Sequence, residues 1–318
     1  MISAPPEPCA PQDILAARVS VLMPVKNAAA TLDAAIDSFL AQDWPAKELI
    51  IIDGASTDAT ADILARRRAE PAIRVFSGSD SSATEALAHG ATLAEGAVIG
   101  LLMGDDWLEP GALSRVMAAF AAAPEAEIVS GGVRLADETG AGAAIEQIIP
   151  ASAIGLTLDS ILGTPYPAVF FFRARLWRAL GGFWPRYRYA ADRDLLMRCL
   201  LSNAAAIRVE ETLYAYRKHA GSDTLVENDA IVRAFLADHL SMAAQWLKHP
   251  SLTAEQAHAI RAWRRGQAVE LTLRHLRQRD AGAAAGVLAA QAARDPRVLG
   301  AFAARAARHA AIKARTAD

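Results

Sequence analysis

The chain has 318 residues, 53% of them apolar, and 33 basic against 35 acidic side chains leave a formal charge of −2. That length and apolar content support one large domain or two smaller ones, and the balanced charge gives no electrostatic footprint for nucleic acid. Two cysteines, Cys9 and Cys199, are too few for a disulfide framework or a thiolate metal site, and no apolar run reaches the roughly 18 residues needed to cross a bilayer.

Residues 1–17 open with MISAPPEPCAPQD, which has no cationic segment followed by an apolar one and reads as a disordered tail rather than a signal peptide. A cytoplasmic setting is expected. Arg18 to Val25 predicts a first strand, and Ala28 to Gln42 a helix with Leu32, Ile36, Phe39 and Leu40 on one face. Glu48 to Asp53, Ile73 to Ser77 and Ala97 to Met103 read as further strands, alternating with helices over Asp58 to Arg68, Ala83 to Leu93 and Gly111 to Ala122. Such alternation predicts an α/β fold with helices on both faces of a parallel sheet. After Glu127, short apolar stretches at Ile128 to Val133, Ile145 to Ile149 and Ala168 to Arg173, broken by glycine and proline, predict a change to mixed sheet. Helices follow at Arg175 to Leu180 and Asp192 to Leu201, then a strand near Leu213 to Arg217. From about Asn228 the chain is alanine-rich and reads as helical, so the expected units are a tail (1–17), a sheet domain (18–225) and a helical C-terminal region (226–318). Residues 294–318 carry six Lys/Arg against two Asp, which fits peripheral contact with an anionic membrane or packing against protein.

Three acidic segments fall where strands give way to loops or helices: IIDGASTD, LLMGDDW and YAADRDLLMR. In an open parallel sheet that edge is where ligands bind, because its loops are free to vary. Asp53 is the first polar side chain after Ile50 to Ile52, and its carboxylate can accept from a nucleobase imide or a ribose hydroxyl. Ser56, Thr57 and Asp58 read as caps of the following helix. Asp105 and Asp106 supply hard oxygen ligands suited to Mg²⁺ or Mn²⁺ on a diphosphate, although before Glu109 and Pro110 the pair also fits a helix start.

The segments SVLMPVKN, IIDGASTDAT, GDDW, AADRDLLMR and YRKHAGSDT, in that order from Arg18 to Thr224, resemble glycosyltransferase family 2, the inverting nucleotide-sugar enzymes of GT-A fold. The resemblance implies a Rossmann-like mixed sheet flanked by helices, with the α-helical C-terminal region as an extension. It also implies a metal-dependent hexosyltransferase that uses Mn²⁺ or Mg²⁺ and a UDP, GDP or dTDP sugar. The acceptor would be a glycan or lipid-linked hydroxyl in bacterial surface polysaccharide assembly, in the cytoplasm or at the inner face of the membrane.

Carried over by position, Pro24 and its neighbours approach the nucleotide and Asp53 contacts the base. Asp80 sits beside the donor or, with Ser81 and Ser82, caps a helix. Asp105 takes the metal position of a DxD-like motif, with Asp106 adjacent and His219 as a further ligand. Asp192 is the catalytic base, because a sugar hydroxyl is a poor nucleophile until a carboxylate takes its proton. Asp194 is assigned to structure. Trp184 and Tyr187 are acceptor candidates through their ring faces, Phe183 is assigned to packing, and Arg186 and Arg188 could meet an anionic acceptor. The chain departs from the family pattern at Met103, where a first Asp is usual, at Leu87 and Ala88, where arginine and asparagine are common, and at Ala191, which replaces a carboxylate. Those departures leave open a non-catalytic nucleotide-sugar or glycan-binding protein. A sugar nucleotidyltransferase is disfavoured because MPVKNAAAT is not a glycine-rich basic loop, and a dehydrogenase because no GxGxxG follows the first strand.

Overall fold

The computed structural model describes residues 14–78, 82–137, 144–218 and 228–315. Its contacts divide the chain into two units between Val226 and Glu227. The first unit holds β1 (Val19–Val25), β2 (Lys47–Asp53), β3 (Ile73–Ser77), β4 (Val98–Leu101), β5 (Trp107–Leu108), β6 (Ile128–Asp137), β7 (Ala144–Ile149), β8 (Phe171–Arg173) and β9 (Ala206–Lys218). They form one sheet in the order 3-2-1-4-8-6-9-5, with β7 paired to β6. β1 to β4 are mutually parallel, β8 runs antiparallel to both β4 and β6, and β9 is parallel to β6. The carboxyl ends of β1, β2, β3, β4, β6 and β9 therefore share one edge, here the upper edge. Every residue of β1 is buried, as expected for a parallel strand covered on both faces.

Pro24 lies inside this central strand, where a missing N–H would ordinarily cost a ladder bond. Along one strand, the N–H and C=O of a residue point to the same neighbour. Val25 O accepts from Gly54 N on the β2 side, so Pro24 faces β4, whose pairing with β1 has already ended at Leu22 and Leu101. The missing N–H coincides with the end of that ladder, whose last bond runs from Leu102 N to Leu22 O.

At the lower edge, the buried Glu48 ties three strands together. It accepts from Ser20 Oγ at 2.6 Å, from Glu95 N at 2.9 Å and from Arg74 at 2.8 Å. Gly96 is required there, since a Cβ would lie 2.6 Å from Ser20 Oγ and 2.7 Å from Arg18 O.

The helices of this unit are α1 (Leu32–Leu40), α2 (Thr60–Arg67), α3 (Ala83–Leu93), α4 (Ala112–Ala122), α5 (Leu158–Leu162), α6 (Ala174–Leu180) and α7 (Ala191–Leu201). The first is shorter than the sequence predicts because Ala28 and Ala29 donate across to Thr60 and Asp58 instead of entering a helix. Residues 14–17 also differ from the expected tail: Ile14 is fully buried, and Ala17 O accepts from the Trp44 indole at 3.1 Å. The rest of that tail, residues 1–13, lies outside the described residues.

The second unit consists, among the described residues, of α8 (Asp229–Trp246), α9 (Ala254–Arg277), α10 (Ala281–Ala292) and α11 (Arg297–Arg315). Leu236, Leu240, Val269, Leu271 and Val298 form its core. A capping box of Thr253 and Gln256 starts α9. No described helix is long and apolar enough to cross a membrane.

Candidate active site

Asp53 ends β2 beside Val25 of β1 and Ser77 of β3. Its carboxyl is nearly buried, and Oδ1 accepts from Ser56 N at 3.1 Å and Ser56 Oγ at 2.5 Å. Ser56 Oγ in turn accepts from Asn27 N at 2.9 Å, and Asn27 Oδ1 accepts from Thr57 N at 2.8 Å. Asn27 stands at φ 53°, a left-handed conformation that asparagine tolerates better than most residues. Ser56 and Thr57 therefore do not cap α2, as the sequence suggests; they clasp the loops after β1 and β2 into one rim. Asp58 completes it by accepting from Ala29 N and Thr60 N. Among the described residues Asp53 Oδ2 has no partner, and it remains the acceptor on this rim.

The turn after β4 rests on the end of β1. Thr31 Oγ1 donates to Gly104 O at 2.8 Å, and a Cβ on Gly104 would lie 3.0 Å from Val25. The two aspartates of this turn differ sharply. Asp106 is 1% exposed, with Oδ2 accepting from the Tyr214 hydroxyl at 2.7 Å and Oδ1 from Arg217 N at 2.8 Å. Tyr214 also accepts from Met103 N at 3.1 Å, and Arg217 Nε donates to Asp105 O at 2.7 Å. Burial and the neighbouring Asp105 charge push the Asp106 carboxyl up to about 8, against the bonds from Tyr214 and Arg217. Asp106 thus fastens the turn to β9, and Asp105, half-buried, is the member of the pair that reaches solvent.

A single outward carboxylate suits a cation that takes its other ligands from substrate phosphates. Among the described residues no three His, Cys, Asp or Glu side chains converge on one point, and both His219 and Asp80 lie outside the described residues. β9 ends at Lys218, on the same upper edge.

Asp192 lies in the first turn of α7, one residue inside the helix rather than ahead of it. Because α7 delivers the chain to the lower end of β9, its amino end belongs to the upper edge. Thr84 Oγ1 confirms that placement by donating to Arg188 O at 2.9 Å, joining the first turn of α3 to the loop before Asp192. Asp192 is half-buried, and desolvation holds its carboxyl above the usual carboxylate range, opposed by the Arg193 N–H at 2.6 Å and the Arg193 charge. The Arg193 guanidinium is itself buried and donates to Ile161 O and to Gly163 O, the latter at 3.0 Å.

Asp194, 1% exposed, pairs with Arg198 Nε at 2.8 Å, and Arg198 donates to Leu180 O and Gly182 O at 2.5 and 2.6 Å. The structural assignment of Asp194 matches this geometry. Phe183 packs edge-on to Trp177 with ring centroids 5.0 Å apart. Trp184 is half-buried with Arg186 at 4.0 Å and Arg198 at 4.2 Å from its ring. Tyr187 is buried under Arg186, so of the two expected acceptor rings only Trp184 reaches solvent, beside the exposed Arg186 and Arg188.

The sequence model described as glycosyl transferase family 2 matches residues 20–180, just over half of the chain. The chain belongs to that family. A PGL/p-HBAD biosynthesis glycosyltransferase of Mycobacterium bovis is 29% identical to this family 2 transferase over 263 residues, 77% of this chain and 97% of the relative. EpsE of Bacillus subtilis is 30% identical over 208 residues, 63% of this chain and 73% of its own. Among solved structures, the mannosyltransferase PcManGT from Pyrobaculum calidifontis, in complex with GDP-Man and Mn²⁺, matches with a TM-score of 0.59 at 18% identity, over 92% of this chain and 80% of its own. TarS 1-349 of S. aureus with UDP-GlcNAc gives 0.58 at 17% identity, over 81% and 72%. At such identities the match establishes the fold, which is GT-A.

Within this family 2 transferase, sequence reasoning did not single out Asn27, Thr84, Arg193 or Tyr214. Asn27 carried a local signal, an asparagine directly after a buried strand. Tyr214 carried a weaker one, a hydroxyl between the apolar Leu213 and Ala215, while Thr84 and Arg193 carried none.

Proposed function

We propose that this transferase binds a nucleoside-diphosphate sugar along Asp53 and Asp105 and passes the sugar, with inversion, to a hydroxyl of a glycan or lipid-linked acceptor. The observation that carries this reading is the gathering of Asp53, Asp105 and Asp192 on one edge of the sheet. The complexes of PcManGT with GDP-Man and of TarS with UDP-GlcNAc support a nucleotide-sugar donor. The Mycobacterium bovis relative is named for PGL/p-HBAD biosynthesis, and that similarity supports a biosynthetic role in making a bacterial glycoconjugate.

Asp53 accepts from the base or ribose while Ser56 holds its other oxygen. The Asp192 carboxylate takes the acceptor hydroxyl proton as that oxygen bonds to the anomeric carbon from the face opposite the diphosphate. The bond from the anomeric carbon to the diphosphate oxygen breaks, its electron pair leaves with the nucleoside diphosphate, and the centre inverts without a covalent enzyme intermediate. A divalent cation, Mn²⁺ or Mg²⁺, held by Asp105, with His219 as the further ligand the resemblance implies, would neutralise charge on the leaving group.

Purified protein titrated with UDP, GDP and dTDP sugars, with and without Mn²⁺, tests the reading by thermal shift and slow donor hydrolysis. Metal-dependent stabilisation by one nucleotide, with hydrolysis lost in Asp192→Asn and binding lost in Asp53→Ala, is expected. Binding without turnover, unchanged in Asp192→Asn, would instead identify a non-catalytic nucleotide-sugar protein. No binding at all would remove the donor site.

A further inference from the structure

The helical unit carries a small recess of about 60 Å³, open to solvent, whose lining charge is one-sided. Arg261, Arg264 and Arg265 stand at i, i+3 and i+4 of α9, one face of the helix, opposite Gln291, Arg294 and Asp295. Four guanidiniums thus meet one carboxylate, and that carboxylate is already engaged, by Arg265 at 2.6 Å and Arg297 at 3.0 Å. Arg294 donates to Ala290 O at 2.7 Å, within its own turn. Arg264 has no such outlet: its Nε is a buried atom that finds no acceptor among the described residues. A buried donor left unpaired beside like charge is costly, and a bound anion is one arrangement that would complete it.

We propose that this recess binds a phosphate group, with Arg264 and Arg294 as its principal donors. Three positive charges in excess call for an anion of more than one charge, and the planar fork of arginine matches a tetrahedral oxyanion presenting several acceptors. Burial first, and then the Arg294 charge, lower the Arg264 pKa, with Asp295 only partly opposing them, in keeping with the excess of like charge around it. The N-terminus of α11 is not the site, since Asp295 accepts from Arg297 N at 3.3 Å and occupies it. The inference is independent of the donor-site reading, because every lining residue belongs to the helical unit.

Phosphate of this kind arrives free or on a lipid headgroup, and the experiment separates the two. Full-length protein in EDTA is titrated with inorganic phosphate, with chloride at matched ionic strength as control, and separately with phosphatidylcholine vesicles with and without phosphatidic acid. Wild type is compared with Arg264→Gln/Arg294→Gln in both arms. Binding by wild type that is about tenfold weaker or worse in the double variant is expected. Free phosphate sufficing identifies a soluble ligand; a response only to phosphatidic acid identifies a headgroup. Equal responses of the two proteins in both arms would overturn the proposal. In chloride alone the double variant should unfold no earlier than wild type, since it loses a like-charge pair. A clear fall in its unfolding temperature would show that the guanidiniums are structural and would overturn it as well.

Discussion

Replacing Glu48 by Gln is expected to destabilise the sheet unit by about 3 kcal/mol at neutral pH. Glu48 is 4% exposed, and its two oxygens take three donors from three segments. Glutamine preserves the shape and one carbonyl oxygen, enough for Ser20 Oγ and Glu95 N, but it turns an NH₂ toward the Arg74 guanidinium. One charge-assisted bond, worth about 1.5–3 kcal/mol, is lost and a donor faces a donor. Breaking a fully buried ion pair costs about 3–5 kcal/mol, but Arg74 is a third exposed and keeps Leu93 O at 2.9 Å and Glu95 Oε1 at 3.2 Å, which places the expectation at the low end. Burial opposes ionisation of Glu48, yet the bonds from Ser20, Arg74 and Glu95 N outweigh it and hold its pKa below the usual value. A carboxyl with a depressed folded pKa contributes stability above its unfolded pKa of about 4.3 and loses it as pH falls through the folded value. Urea unfolding followed by circular dichroism should therefore show the full difference at neutral pH and a shrinking one in acid. A difference below about 1 kcal/mol at neutral pH, or one that persists unchanged in acid, would refute the account.

Four further outcomes are expected. Asp192→Asn should lower kcat by about a hundredfold to ten-thousandfold with donor affinity retained, and the wild-type kcat/KM should fall with decreasing pH at a limb above the ordinary aspartate value of about 3.9, because desolvation raises the pKa of a group that must be ionised. Arg193→Gln should move that limb further upward by removing the positive charge beside Asp192, with Arg193→Lys restoring most of it; an unmoved limb would limit Arg193 to anchoring Ile161 and Gly163. Tyr214→Phe strands Met103 N and one bond to Asp106 at constant packing, so urea denaturation should register a loss of about 2–3 kcal/mol. Cys199, buried with its thiol pushed up to about 12, should resist a thiol reagent in a Cys9→Ser background until denaturant is added; rapid native labelling would contradict its burial.

What the sequence discloses about this site depends on how far away the deciding partner lies. Asp53 and Asp105 are legible because each follows an apolar run that ends at the sheet edge, and a strand's end is a local property. The work of Ser56 is not, because its S-T-D context is indistinguishable from a helix cap until Asn27 arrives 29 residues away. The fate of Asp106 is decided by a tyrosine 108 residues later. Length hides other elements: β5 has two residues and α5 five, too few for any period to emerge. The opening half of β9 is missed because Ala206 to Glu211 is exposed or half-buried and offers no apolar run, although its backbone pairs with β6. Trp184 and Tyr187 read alike as acceptor rings, because composition cannot tell Tyr187, which is buried, from Trp184, which is not.

GDDW and ADRD share a division of labour between the two aspartates that each carries at close spacing. A lone carboxylate on a loop end pays conformational entropy to hold one direction, and its position is only as fixed as the backbone beneath it. In GDDW the second aspartate is buried and takes donors from β9, so the backbone under Asp105 is pinned from across the sheet. In ADRD the second aspartate is buried against Arg198, whose other donors grip Leu180 O and Gly182 O, and Arg193 pins the same turn to Gly163 O. Asp53 achieves the same end with a single carboxyl, giving one oxygen to Ser56 and presenting the other. Burying a carboxyl group is expensive in desolvation, whether it is kept ionised by a partner or driven to its neutral form. On the proposed function, the placement of the buried Asp106 and Asp194 beside Asp105 and Asp192 fits a role in aiming those two side chains, a purpose that burial alone, or a helix cap alone, would not require.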